Sequence, residues 1–205
     1  ASSSYGLFFD ACRFNQDRFL AFHEMLRERI HSYDPDLPVH VKIMSHAFED
    51  PGRFEVGIDY ERYNQIGRIA GNDCTYAFCG ERPGPYACEW PTMAMNYSLQ
   101  HCTAPDDPIF NSENHLISDG DARYMPESYI RTVYWHEALH GQGATTTWVW
   151  ERAQSGDFAE NILTRANCVR ALGRVALDLN RLAHEVHALG RAKADIAILY
   201  AYSSL

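Results

Sequence analysis

The chain has 205 residues and a formal net charge of −9, with no cluster of Lys or Arg. That excludes the basic footprint a nucleic-acid phosphate backbone requires. With 46% hydrophobic and 22% charged residues it fits one ordinary folded domain able to bury a full core, and no apolar run is long enough to span a bilayer.

The first ten residues, ASSSYGLFFD, read as loop. From Phe14 to Tyr33, Phe19, Phe22, Leu26, Ile30 and Tyr33 recur at helical spacing, and Asp34-Pro35-Asp36-Leu37-Pro38 stops the helix. Val39 to Met44 is a short β-branched strand followed by Ser45-His46. Phe48 to Gly57 is loop, Asp59 to Ile69 a short helix, and Asp73 to Phe78 the next strand. Cys79 to Pro91 holds three prolines and two glycines and reads as a long irregular loop. Met93 to Cys102 is a helix. After the turn-former Ala104-Pro105-Asp106-Asp107-Pro108, a strand runs from Pro108 to Glu113 and turns abruptly polar at its end: Asn111, Ser112, Glu113, Asn114, His115.

Beyond a polar loop at Ser118 to Tyr124, Pro126 occupies a first-turn helical position. The helix Glu127 to His140 turns Ile130, Val133, Tyr134 and Ala138 inward, and Gly141 and Gly143 break it. Ala144 to Glu151 is a strong strand of three Thr followed by Trp148, Val149 and Trp150. A long helix spans about Thr164 to Leu189, and DIAILYAY, Asp195 to Tyr202, reads as a fifth strand. Strict alternation of helices with short buried strands predicts an α/β fold with a parallel sheet and crossover helices. No GxGxxG or GxxxxGK[ST] follows a strand, which sets aside the nucleotide-binding forms of this architecture. Polar residues gather instead at strand C-terminal ends, as on the active-site rim of a (β/α) barrel.

The six cysteines, at 12, 74, 79, 88, 102 and 168, form no CxxC pair. They read as buried, reduced thiols, which predicts a reducing, cytoplasmic setting. The chain begins at Ala1 rather than Met, as a processed chain or a piece of something longer would.

Two chemistries compete. His136-Glu137-Ala138-Leu139-His140 matches HExxH, which on a helix sets two imidazoles one turn apart for zinc with the Glu as general base; Glu160 is a conceivable third ligand. Against it, Gly141-Gln142-Gly143 ends the helix at His140 and a tryptophan-rich strand starts at once. Carbohydrate chemistry instead needs a carboxylate nucleophile at a strand end, a second carboxyl group about 5 Å away, and aromatic platforms for sugar rings. Glu113 supplies the first, and Trp148 or Trp150 supplies a platform.

In order, PVHVKIM after a helix ending YDPDLP, then PIFNSENH, then WHEALHGQGATTTWVWER resemble the second half of a glycoside hydrolase of family forty-two, a group of β-galactosidases built on the clan-A barrel. The resemblance implies strands five to eight of a parallel (β/α) barrel of TIM type over residues 1–192. It implies the start of a second, trimerisation-like α/β domain over 193–205. Glu113 then matches the nucleophile of a retaining hydrolase, Glu137 and His140 the pair that holds sugar hydroxyls, and Trp150 a rim tryptophan; Trp148, Asn114 and His115 complete the substrate-binding set. No cofactor or metal is implied. The implied partners are an oligosaccharide or β-galactoside substrate and further copies of the full-length protein in a homotrimer, with neither nucleic acid nor membrane. Glu151-Arg152 stands where the family more often has Arg-Gln, and Asn-Ser-Glu-Asn-His is not its usual strand-seven motif, so galactose specificity is left open to a sister group of the clan. The family's acid/base, a Glu after Asn at the end of strand four, has no counterpart, since the chain contains no Asn-Glu dipeptide. The expectation is a fragment, inactive alone. A zinc metallopeptidase and a non-catalytic carbohydrate-binding remnant are the alternatives.

Overall fold

The computed structural model describes residues 2–44, 56–74, 90–117, 123–150 and 162–200. The expectations for Ser45-His46, the 79–89 loop, Glu151-Arg152 and Glu160 lie outside them. In chain order the elements are α1 (Ser2–His31), β1 (His40–Ile43), α2 (Tyr60–Asn64), β2 (Ile69–Asn72), α3 (Trp90–Thr103), β3 (Ile109–His115), α4 (Glu127–Leu139), β4 (Gln142–Trp148), α5 (Ala166–Arg181) and α6 (Ala183–Gly190). The strands form one sheet in the order β1-β2-β3-β4, and every neighbouring pair is parallel. The α/β alternation is therefore present, with helices returning the chain between successive strands.

Helices α3, α4 and α5 cover one face of the sheet. Met93, Tyr97, Ile109, Ile130, Val133, Cys168, Ala171 and Val175 interlock there in a continuous apolar core. Leu20, Ile43, Tyr60, Tyr63 and Ile66 form a second cluster between α1, β1 and α2. Among the described cysteines, Cys12, Cys74 and Cys168 are buried, whereas Cys102 is exposed.

Several local expectations differ from the structure. Residues 2–10 are helical, not loop: α1 buries Cys12, Gln16 and Leu20 at four-residue intervals, a stripe that carries the helix well before Phe14. The larger apolar stripe of Phe19, Phe22, Leu26, Ile30 and Tyr33 is left exposed. The helix expected to reach Ile69 is one short turn, Tyr60–Asn64, capped by Asp59, whose carboxylate accepts from the Arg62 N–H at 3.3 Å. A strand runs over Ile69–Asn72, ahead of the one expected from Asp73, and Asp73 and Cys74 lie outside it; residues 75–78 of that expectation are not among the described residues. Intrinsic preference misleads here, because Ile-Ala-Gly-Asn is a poor strand former that the ladder with His40–Ile43 holds extended. Glycine is required at Gly71, where a Cβ would lie 2.5 Å from both the His40 imidazole and the Val41 carbonyl oxygen. Finally, the long C-terminal helix is broken at Leu182, and residues 195–200 form no strand.

The β3–β4 ladder shifts register twice: Gly143 is extra on β4 opposite Ile109–Phe110, and between Asn111 and Asn114 strand β3 carries one extra residue. Asn111 pairs with Thr145 and Asn114 with Thr147, so Ser112 and Glu113 together stand opposite Thr146. This bulge resets the alternation. Ile109, Asn111 and Asn114 are buried on the helix-covered face, while Phe110, Ser112, Glu113 and His115 sit half-buried on the other, open face.

Candidate active site

The open face of the sheet collects the charged groups. On β1, His40 and Lys42 share this face: the His40 ring meets Phe110 edge-on at 5.0 Å, and the Lys42 Nζ donates to Glu113 Oε2. Glu113 Oε1 lies 3.1 Å from His115 Nε2, and the Glu113 N–H donates to Asn111 Oδ1 at 3.2 Å. Lys42 also faces Asp73, directly beyond β2, with Nζ 3.9 Å from its Oδ2. Strand ends β1, β2 and β3 thus contribute a cation, a nearly buried carboxylate and a half-buried carboxylate to one cluster. At the end of β4, Trp148 pairs with His115 in the ladder and its ring lies 5.3 Å from the imidazole, tilted by 32°. Trp150, just beyond, is 46% exposed.

Burial pushes the Glu113 carboxyl up, but hydrogen bonds and charge from Lys42 and His115 outweigh it, so the group titrates below its ordinary value. A carboxylate held ionised, with aromatic surface beside it, is equipped to act as a nucleophile toward an electrophilic carbon and to pack the C–H face of a sugar.

Of the residues singled out from the sequence, the structure brings Glu113, His115 and Trp148 together and sets Trp150 at the same edge. Asn114, Glu137 and His140 go elsewhere. The bulge turns Asn114 to the helix-covered face, where its Nδ2 donates to both carboxylate oxygens of Glu137, at 2.8 and 2.7 Å, and to Thr145 Oγ1 at 3.2 Å. Gln142 Nε2 donates to Glu137 Oε2 at 3.2 Å, and Glu137 is 0% exposed. Burial raises its carboxyl to about 8, against the opposing pull of the Asn114 and Gln142 amides. His140 caps the end of α4. Because α4 runs back against the strand direction, that end lies at the N-terminal edge of the sheet, beside Gln142 and opposite to Glu113. Glu137 and His140, expected to hold sugar hydroxyls, thus lie apart from the Glu113 cluster, Glu137 buried behind the sheet and His140 at the end of α4.

The same geometry bears on the HExxH reading. His136 and His140 do sit one turn apart, with ring centroids 6.3 Å from each other. Glu137, however, is turned into the sheet and fully buried, hydrogen-bonded to the Asn114 and Gln142 amides. Among the described residues, no group of three or more His, Cys, Asp or Glu is arranged to hold a metal.

Lys42 and Asp73 are the members of the site that sequence reasoning missed. The signal for Lys42 is present: a lysine inside a four-residue β-branched strand must leave on the face that has a partner for it. Asp73 is hidden because the sequence places the strand from Asp73 onward, whereas β2 runs over Ile69–Asn72 and sets Asp73 just past its end. A cavity of about 770 Å³ opens at the N-terminal edge of the sheet, lined by Pro108, Tyr134, Gln142, Leu179 and His187. It contains none of the Glu113 cluster and lies away from the chemistry.

No protein-family model matches the chain, and no curated protein matches it. Among solved structures, the crystal structure of an apo exo-carrageenase of GH42 from Bacteroides ovatus superposes with a TM-score of 0.84 at 30% sequence identity over 97% of this chain. The chain is related to glycoside hydrolase family 42. It spans 29% of that neighbour's length. The likeness supports an α/β fold of the same kind over this chain, in line with the resemblance read from PIFNSENH and its flanking segments. No described helix is long and apolar enough to cross a membrane.

Proposed function

We propose that this chain is the C-terminal half of the catalytic barrel of a retaining β-galactoside hydrolase, with Glu113 as its nucleophile. Residues 1–192 make up strands five to eight of a TIM-type barrel, and 193–205 lead into a trimerisation-like domain of the full-length homotrimer. The observation that carries the reading is the ionised Glu113 carboxylate, presented by the bulge of β3 to the open face between Lys42 and His115.

In the first step a Glu113 oxygen attacks the anomeric carbon, the C–O bond to the aglycone breaks, and a second carboxyl group, outside these 205 residues, protonates the departing oxygen. In the second step that group, now a carboxylate, takes a proton from water. The water oxygen bonds to the anomeric carbon, and Glu113 leaves as the carboxylate. Trp148 and Trp150 offer the platform on which the ring packs. Because the neighbour is an exo-carrageenase, carrageenan-type oligosaccharides join simple β-galactosides as proposed substrates.

The test is Glu113→Ala in the full-length protein, assayed with dinitrophenyl β-galactoside and carrageenan oligosaccharides. Turnover is expected to fall by about a thousandfold or more. Added azide is expected to restore it and give a glycosyl azide of inverted configuration. Turnover near that of the wild type would overturn the proposal, as would sugar binding without any hydrolysis by the wild-type protein.

A further inference from the structure

Glu113 Oε2 is the acceptor of Lys42, and an ammonium group bound to that oxygen draws on the electron density that must form the bond to the anomeric carbon. Once Glu113 is esterified it also loses its charge. Lys42 is then a cation in a half-buried position whose first partner has been neutralised. Its other anion is already in place. Asp73 is 6% exposed at the end of β2, with Oδ2 3.9 Å from Nζ. That separation is long for a hydrogen bond and short for a flexible side chain to close. The other titratable groups at this cluster are the imidazoles of His40 on β1 and His115 on β3, neither of which supplies negative charge.

We infer that Lys42 is a positioning residue that serves two carboxylates in turn, neutralising Glu113 in the resting enzyme and moving to Asp73 in the glycosyl-enzyme. This rests on the retaining reading above and extends it to residues with no assigned role. Lys42 releases Glu113 for attack. It then returns as the ester bond breaks and the Glu113 carboxylate re-forms, which makes Glu113 a better leaving group in the second step. Asp73 holds the ammonium in between, and so lowers the cost of forming the glycosyl-enzyme.

The two residues should therefore act on different steps. In the full-length enzyme with dinitrophenyl β-galactoside, kcat/KM reports formation of the glycosyl-enzyme, and kcat reports its breakdown when that step is slower. Lys42→Met is expected to lower kcat by about tenfold or more and to move the acid limb of the kcat/KM profile to higher pH, because Glu113 loses its cation. Lys42→Arg is expected to recover most of kcat. Asp73→Asn is expected to lower kcat/KM by about tenfold while leaving kcat unchanged or raised. Parallel losses of kcat and kcat/KM in both variants, or an acid limb that does not move in Lys42→Met, would overturn the inference while leaving Glu113 as nucleophile. Wild-type turnover in Glu113→Ala would instead remove the retaining reading on which it stands.

Discussion

The Glu137 carboxylate accepts from Asn114 Nδ2 through both of its oxygens, behind the strand whose next-door residue, Glu113, faces the other way. This contact ties α4 to β3 directly beneath the candidate nucleophile. It sits in a buried polar chain in which Tyr97 donates to Gln142 Oε1 at 2.5 Å and Gln142 donates to Glu137. A fully buried acid among amides holds its proton more firmly than one in water.

Stability should therefore depend on pH through Glu137. The folded carboxyl titrates at about 8 and an unfolded one near 4.5. Between these values the folded state carries the extra proton, so the contribution is fully present below the lower value and is lost as pH rises through the upper one. Glu137→Gln mimics the protonated form. It is expected to leave the melting temperature unchanged near pH 5 and to raise it near pH 9. Thermal melts of both proteins at the two pH values check this; equal pH slopes would refute it.

Tyr97 and Gln142 should also couple energetically. Tyr97 is 0% exposed, and Tyr97→Phe leaves Gln142 Oε1 without its hydroxyl donor. The expected loss is about 1–3 kcal/mol. Removing Gln142 as well, in a Tyr97→Phe/Gln142→Leu double variant measured by denaturant unfolding, should cost less than the sum of the single changes.

Gly71 should tolerate no side chain. It lies between Lys42 and Phe110 in the ladder, and an added Cβ meets the fixed Val41 carbonyl at 2.5 Å. Gly71→Ala must push β1 away from β2 at a cost of about 1–3 kcal/mol. Because Lys42 moves with β1, the variant should also lose activity beyond what its melting temperature explains, which kinetics well below that temperature would reveal.

Trp150 should matter for long substrates only. Its ring is largely exposed at the rim, so Trp150→Ala is expected to leave the melting temperature within about 1 °C of the wild type. The KM for oligosaccharides should rise by about tenfold with little change for a small aryl galactoside. Comparison of the two substrates checks the assignment.

Much of this arrangement is legible in the residues. Val39–Met44 and Pro108–Glu113 announce two strands through β-branching and turn-formers, and the Glu127 helix shows its buried face in Ile130, Val133 and Tyr134. Where tertiary contacts override local preference, reading fails. Ile69–Asn72 is a strand because β1 and β3 flank it, against the preference of its own residues. HEALH is a regular-expression match whose Glu faces the sheet, and only the direction in which α4 packs reveals it. Simple alternation from Ile109 would also have put Glu113 among the helices. Nothing in Asn-Ser-Glu-Asn announces the bulge that brings it out.

That bulge makes β3 sensitive to counting rather than to chemistry. The surplus residue places two consecutive side chains, Ser112 and Glu113, on the same face before Asn114 turns back behind the sheet. Deleting Ser112 would restore plain alternation with Glu113 directly after Asn111, still out of phase with Ile109 and Asn111. The carboxylate would keep its face but stand one residue closer to Asn111. Removal of Ser112 should therefore weaken catalysis through misplacement rather than burial, while substitutions there should be mild. Chain length at this one point sets how far along the strand the carboxylate stands.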